Sequence, residues 1–378
     1  MIHLLLSVFF SPLLKLLAGK PPSEPKRLLI IQLAKIGDLL CSTPVFRELK
    51  QRYPDMVIHV LASPVNAPLL RTNPHVDAVI EASVNDFSGA GGKWHLVRLL
   101  RQGRYDTVVC LNAGAAYATA AAWALIPRRL AVLSNFGGSS HRLAARLWTD
   151  VEPHVGDRLI QETYLALLAK LGVENGRIDK EVFPVSLPYE KKGLLFEEDD
   201  GVAIGIAVSS ANRLKALGSD KLASVVQQLL TACPRSRVFL IGGSEDRAQA
   251  DEIIERVALS PGKVINSCGQ FSLIELPLLL KRMTVFLGVD SGVTYMADTV
   301  GIPVVSVAGP CNMDETRPLG EYTVILQRKE LPCAPCAHIF RAPYQCHVGT
   351  RECITSISPA EISQAVLSVL ENLGVSCD

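Results

Sequence analysis

Short, continuous apolar runs recur along this chain, each followed by a stretch of helical period. Arg27-Leu-Leu-Ile-Ile-Gln-Leu, Val57–Ala62, Ala78-Val-Ile and Thr107-Val-Val-Cys-Leu form a first series, with a helical stretch from Asp38 to about Arg52 between the first two runs. Val202-Ala-Ile-Gly-Ile-Ala-Val, Arg237-Val-Phe-Leu-Ile, Val285-Phe-Leu-Gly-Val and Pro303-Val-Val-Ser-Val form a second. Helical periodicity over Asp220–Ala232, Glu245–Ala258 and Leu273–Arg282 separates the members of that second series. A strand that alternates polar and apolar residues has one wet face, whereas a strand apolar throughout has none. These runs therefore predict parallel sheets covered by helices on both faces. The fold class is α/β, with two Rossmann-like, doubly wound domains. Ligands in such folds bind beyond the carboxyl ends of the strands, which places the expected site in a cleft between the halves.

The 378 residues suit two domains. Residues 27–186 are read as the first and 202–358 as the second, with a C-terminal helix over 359–378. The linker, 187–201, breaks the rhythm with Pro188, a lysine pair and the acidic run Glu197–Asp200. Ahead of the first domain, 1–26 is an apolar segment and a stiff linker that contains Pro21 to Pro25. The opening MIHLLLSVFFSPLLKLL is too short to span a bilayer, which takes about 20 apolar residues. An interfacial anchor, a helix packed on the domain and a cryptic signal remain open, and the segment is expected to lie on a surface rather than to cross one.

Composition narrows the function. Hydrophobic residues at 48% and charged residues at 20% exclude wholesale disorder. A net charge of +1 argues against a dedicated nucleic-acid binder. Aromatics at 6% are too few for a carbohydrate-binding module that stacks sugars on rings. The turn after the first strand carries a single glycine, Gly37, where a dinucleotide fold needs G-x-G-x-x-G. No Walker loop, H-E-x-x-H or G-x-S-x-G occurs, and no D-x-D pair offers a carboxylate-held metal.

Three strand-end motifs remain. Lys35-Ile-Gly37-Asp38 puts a carboxylate at a strand-to-helix junction, either as a plain helix cap or as a general base that takes a hydroxyl proton. Asp290-Ser291-Gly292-Val293-Thr294 ends a strand and starts a helix, a place for a phosphate on backbone N–H groups or simply a capped turn. The loop Ser209-Ser210-Ala-Asn-Arg213-Leu-Lys215 combines hydroxyls and cations in a way that suits a diphosphate, or is a solvated surface loop.

In this order and spacing the motifs resemble the bacterial lipopolysaccharide heptosyltransferases, the ADP-heptose family of glycosyltransferases. The likeness rests on LLIIQLAKIGDLLCSTPVFRELKQRYP, FLIGGSEDRAQADEI and LGVDSGVTYMADTVGIPVVSVAGP, and spans about Arg27 to Val369. It implies the two-domain GT-B architecture and inverting transfer from a nucleotide sugar to a glycolipid acceptor, with no required metal. Residue by residue, it implies that Asp38 is the catalytic base and that Asp290 holds the donor sugar. Ser291, Gly292 and the following amides of Val293 and Thr294 would cradle the diphosphate. Lys215 would serve the donor loop, Asp246 would lie near the ribose and Phe271 would flank the adenine. Lys35, Gly37, Ser209 and Ser210 complete the expected substrate-binding set. Tyr295 stands where the family usually has a histidine, and the Ser209–Lys215 loop lacks the family's usual proline–glycine pair. A nucleotide-sugar epimerase or hydrolase of the same architecture, or a catalytically silent nucleotide-sugar binder, are the alternatives.

Cys333-Ala-Pro-Cys336, with Cys346 and Cys353, leaves structural zinc, disulfides or free thiols open. The expected partners are a nucleotide sugar such as ADP-heptose and a glycolipid, with peripheral membrane contact and no nucleic acid. The expected location is cytoplasmic, on the inner face of the cytoplasmic membrane.

Overall fold

The computed structural model describes residues 2–112, 114–192, 201–257 and 262–377. The acidic run Glu197–Asp200 of the expected linker lies outside the described residues. The chain divides into two compact units, Met1–Glu181 and Val182–Asp378, and each contains a six-stranded parallel sheet.

In the first unit, β1 (Arg27–Gln32), β2 (Val57–Ala62), β3 (Ala78–Glu81), β4 (Thr107–Cys110), β5 (Arg128–Leu133) and β6 (Asp150–Pro153) lie in the order β3-β2-β1-β4-β5-β6. In the second, β7 (Val202–Ala207), β8 (Ser236–Ile241), β9 (Val264–Asn266), β10 (Val285–Val289), β11 (Val304–Val307) and β12 (Val324–Leu326) lie in the order β12-β11-β10-β7-β8-β9. Each sheet grows outward from its first strand, then restarts on that strand's other side. The strand order therefore reverses between β1 and β4, and again between β7 and β10, and at such a point the loops diverge and leave a crevice. Leu28, Leu29, Ile30 and Ile31 of β1 are all at most 1% exposed, as sheets covered on both faces require.

Four strands lie outside the expected runs. β6, β9 and β12 are sheet edges of three or four residues, half-buried except for exposed Pro153 of β6, and so short an edge strand gives little signal. β5 is interior but opens on two arginines, of which Arg129 is buried and donates to the carbonyls of Leu147 and Ile126. The helix expected over Leu273–Arg282 is only Leu276–Leu280. Pro277 fits only the first turn of a helix, and Ser272 bonds the Glu275 carboxylate through both N–H and Oγ, which ends the preceding turn there.

Two short helices precede β1: α1 (Ile2–Phe9) and α2 (Ser11–Ala18). After β1 comes α3 (Ile36–Arg52), then α4 (Gly89–Gly103), α5 (Ala115–Trp123), α6 (Ser139–Ala144) and α7 (Ile160–Ala169). The second unit contains α8 (Ser219–Ala232), α9 (Arg247–Arg256), α10 (Gly292–Thr299) and α11 (Pro359–Asn372). Buried Arg47 of α3 pairs with Glu48 at 2.9 Å and Glu181 at 3.1 Å, and donates to the carbonyls of Arg177 and Asp179, which fastens the end of the first unit to its helical layer. Cys233, at the end of α8, is disulfide-bonded to Cys377 beyond α11.

Gly288 of β10 shows how tightly the second core closes on the site. A Cβ there would collide with Thr294 Oγ1 and lie 2.9 Å from the Phe286 ring. Gly288→Ala should cost about 1–3 kcal/mol. Gly91→Ala, on α4 with open space around its would-be Cβ, should be neutral or stabilising by up to about 1 kcal/mol. Thermal melts of the two variants against the parent check the contrast.

Candidate active site

The loops that follow β7 and β10 meet at the switch point of the second sheet. β7 and β10 are neighbours, with Ile204 opposite Val285 and Ile206 opposite Leu287, so the chain leaving each strand starts side by side. From the β7 side, a short turn, Arg213–Lys215, delivers the Lys215 ammonium. From the β10 side comes Asp290. Lys215 Nζ forms an ion pair with Asp290 Oδ2 and lies 3.4 Å from the Asp290 carbonyl oxygen, with side-chain exposures of 14% and 12%.

Two more donors finish the carboxylate. Tyr295 OH donates to Asp290 Oδ1 at 2.6 Å, and the Cys311 thiol, from the loop after β11, donates to Oδ2 at 3.1 Å. Burial alone would raise the Asp290 pKa. The Lys215 charge and the hydrogen bonds from Lys215, Tyr295 and Cys311 outweigh burial and hold the carboxyl below its ordinary range. For Lys215 burial works downward, yet the Asp290 charge raises its pKa overall. Burial and the adjacent carboxylate push Cys311 well above the usual thiol value, so it stays protonated and can donate.

Ser291 caps α10. Its Oγ lies 3.5 Å from the Thr294 N–H and 3.0 Å from Thr294 Oγ1, which in turn donates to the Val289 carbonyl at 2.6 Å. With Thr294 engaged, the N–H groups of Gly292 and Val293 occupy the first turn, where a helix has no carbonyl for them. Ser209 and Ser210 follow β7, half-buried, and Ser210 Oγ lies 3.4 Å from the Asn212 N–H. Asp246 and Phe271 lie on the loops after β8 and β9. These loops touch, since a Cβ on Gly269, whose φ is +69°, would sit 2.7 Å from Ser244 Cα. The Asp246 carboxylate accepts the Gly243 N–H at 2.8 Å, and Phe271 is half-buried.

Asp38 sits in the first unit at the corresponding strand end. It lies in the first turn of α3 and its Oδ2 accepts the Lys35 N–H at 3.1 Å, so the cap is real. The carboxylate stays only half-buried, and Lys35 is exposed while Gly37 is half-buried. Three residues outside the motif shape this loop. Buried Gln32 reaches the Ala34 N–H and the Asp38 carbonyl, and buried Asn66, from the loop after β2, donates to the Ala34 carbonyl at 2.7 Å. Tyr164 of α7 is the third: burial, then the Asp38 and Cys41 charges, raise its phenol well above the ordinary value against a hydrogen bond from Gln32. None of these was legible as a site residue, because each comes from a separate strand end or helix.

The sequence profile of glycosyltransferase family 9 (heptosyltransferase) matches residues 93–344. The chain belongs to this family. Over 293 residues it is 25% identical to lipopolysaccharide heptosyltransferase 3 of Escherichia coli K12, covering 75% of this chain and 83% of that one. The E. coli ADP-heptose lipopolysaccharide heptosyltransferase II structure superposes with a TM-score of 0.68 at 20% identity, over 92% of this chain and all of that one (100%). An E. coli heptosyltransferase solved with ADP-2-deoxy-2-fluoro heptose superposes at 0.61 and 16% identity, over 90% and 99%. The GT-B reading of the sequence thus agrees with the solved folds of the glycosyltransferase family to which the chain belongs.

The segment that bears the late cysteines braces the Lys215 turn of this family 9 chain. Arg351 donates to the Leu214 and Ala216 carbonyls, and Asn212 Nδ2 to the Pro343 carbonyl, so the segment bearing Cys333, Cys336, Cys346 and Cys353 grips both ends of the Lys215 turn. All four are free thiols, with Cys353 buried and the other three half-buried. Burial and then neighbouring cysteines raise the Cys336 and Cys353 thiols, whereas backbone amides, that of Arg351 foremost, lower Cys346. Among the described residues no group of three or more His, Cys, Asp or Glu is arranged to hold a metal ion.

Tyr295→Phe tests the network. A carboxyl held below its ordinary value contributes stability above the unfolded pKa, about 4, and loses it as the pH falls through the lower folded value. Removing the phenol O–H should cost about 1.5–3 kcal/mol at neutral pH. The gap to the parent should narrow once the pH drops below about 4, as melts across a pH series would show.

Proposed function

We propose that this chain transfers a heptose from ADP-heptose to a lipopolysaccharide-core or similar glycolipid, with inversion at the anomeric carbon and no required metal. One observation carries the reading: a carboxylate only 12% exposed, held by an ammonium, a phenol and a thiol, lies beside a helix amino end at the switch point of the second sheet. Such a site offers an acceptor for sugar hydroxyls and donors for a diphosphate within one turn of chain. The donor identity draws support from the relatives, whose names carry ADP-heptose and an ADP-heptose analogue.

In this mechanism the acceptor hydroxyl oxygen attacks the anomeric carbon from the face opposite the phosphate. The bond from that carbon to the phosphate oxygen breaks, and the hydroxyl proton passes to Asp38. ADP departs with its new charge spread over the Gly292 and Val293 amides and the Lys215 ammonium. Asp290 accepts hydroxyls of the donor sugar, and Lys215 keeps that carboxylate from repelling the diphosphate. Asp246 and Phe271 serve the ribose and adenine, and Ser209 and Ser210 the diphosphate.

Asp38→Asn keeps the shape of the cap and removes the base. Transfer should fall by at least about a hundredfold while ADP affinity, read by calorimetry, stays within a few-fold. Near-parental turnover would make Asp38 a cap alone.

Initial transfer rates should be unchanged by EDTA, because the helix end and Lys215 supply the charge a metal would otherwise bring. Rapid inhibition that Mg²⁺ or Mn²⁺ reverses would sink this reading. A slow loss accompanied by unfolding would instead point to structural zinc at Cys333, Cys336, Cys346 and Cys353.

A further inference from the structure

The helices α1 and α2 present one face to the first unit and leave the other uncovered. On the packed side Leu4, Ser7 and Leu14 are buried against α5 and α6, and Trp123 Nε1 of α5 donates to Ser7 Oγ at 2.8 Å. On the open side Leu5, Leu6, Phe9, Phe10, Leu13, Leu16 and Leu17 are all exposed, Phe9 by 76% and Leu16 by 77%. So many large side chains on one continuous pair of helices form an apolar patch that water alone does not explain.

The segments that build this patch and pack against it are cationic, with Glu24 the first carboxylate after α2. Residues 1–23 contain no Asp or Glu, and neither do 107–149, which include α5 and α6. Between Asp86 and Asp150 the single carboxylate is Asp106, and it is engaged by the N–H groups of Lys26 and Arg27 at the start of β1. The cations are Lys15 and Lys20 at the patch itself, with Arg142 on α6 and Arg146 in the turn after it, all exposed. Arg101 of α4 lies against the end of α5, donating to the Trp123 carbonyl at 2.9 Å.

We propose that the open face of α1 and α2 docks this chain onto an anionic phospholipid surface. Each helix has eight residues, about 12 Å of rise, and among the described residues no helix is long and apolar enough to cross a membrane. The pair therefore lies in the interface, its Leu and Phe side chains at the acyl boundary and the Lys and Arg rim on the lipid phosphates. A surface made for a second copy of this chain would set this cationic rim against itself, whereas an anionic bilayer complements it.

The test is co-sedimentation of the full chain with vesicles of phosphatidylcholine, with and without phosphatidylglycerol, and it involves neither donor nor turnover. Its failure is thus separate from failure of the transferase reading. The parent should bind the anionic vesicles, more weakly at high salt, and bind phosphatidylcholine alone poorly. Phe9→Glu with Leu16→Glu should lower partition by at least about tenfold, with an unchanged melting temperature because both side chains are exposed. Arg142→Gln with Arg146→Gln should lower it by up to about fivefold per charge and flatten the salt dependence. Should the glutamate variant fail to fold, the arginine variant and the salt series still decide. No binding by the parent, equal partition of parent and variants, or equal binding to neutral vesicles would overturn the proposal. So would a concentration-dependent dimer, in the absence of vesicle binding, that Phe9→Glu with Leu16→Glu abolishes.

Discussion

An ammonium and a carboxylate share one buried position at the switch point of the second sheet, and the surrounding loops are arranged to keep them together. Taking either charge out of water alone costs several kcal/mol, and an unpartnered one would be strongly destabilising. Lys215 and Asp290 offset each other, and Tyr295 and Cys311 occupy acceptor capacity of the carboxylate that water would otherwise fill. The arrangement is worth its desolvation only if both backbones are rigid. Asp290 gains that rigidity from β10 and the Thr294 anchor to Val289, and Lys215 from Arg351 and Asn212, which tie its turn to the cysteine-bearing segment.

All the interior strands but β5, which opens on two arginines, were legible because burial on both faces demands apolar residues along the strand, a signal that needs no partner to be recognised. The edge strands β6, β9 and β12 were not, since a short half-buried strand places almost no demand on its side chains. The same contrast governs the site. Asp38, Lys215 and Asp290 announce themselves at strand ends, where composition changes abruptly. Cys311 gives no such sign: it lies 21 residues from Asp290 in sequence, on another loop, and only the neighbouring positions of β10 and β11 bring the thiol to the carboxylate. The disulfide between Cys233 and Cys377 closes a separation of 144 residues, and spacing cannot reveal it.

Tyr295 illustrates a middle case. Its departure from the histidine usual in the resembled family is visible in the sequence, but its consequence is not. A phenol O–H is a neutral donor, whereas an imidazole can also be cationic. With Lys215 already supplying a positive charge to Asp290, a neutral donor at position 295 is sufficient, and a second cation would be redundant for holding the carboxylate.

The two strand-end carboxylates stand at equivalent places in their sheets, each after the strand where the order reverses. Asp290 is surrounded by donors, and its proton affinity is driven down, which suits the proposed role of a carboxylate that stays charged while it accepts sugar hydroxyls. Asp38, also half-buried, accepts the Lys35 backbone N–H, which orients it at the start of α3. That bond fixes the direction of the carboxylate relative to the helix it caps. Gln32 and Asn66 bond the backbone of Ala34 and Asp38, so the loop that presents the carboxylate is fixed by side chains from two other places in the first unit, and a group proposed to meet an acceptor hydroxyl needs that fixed geometry before anything else.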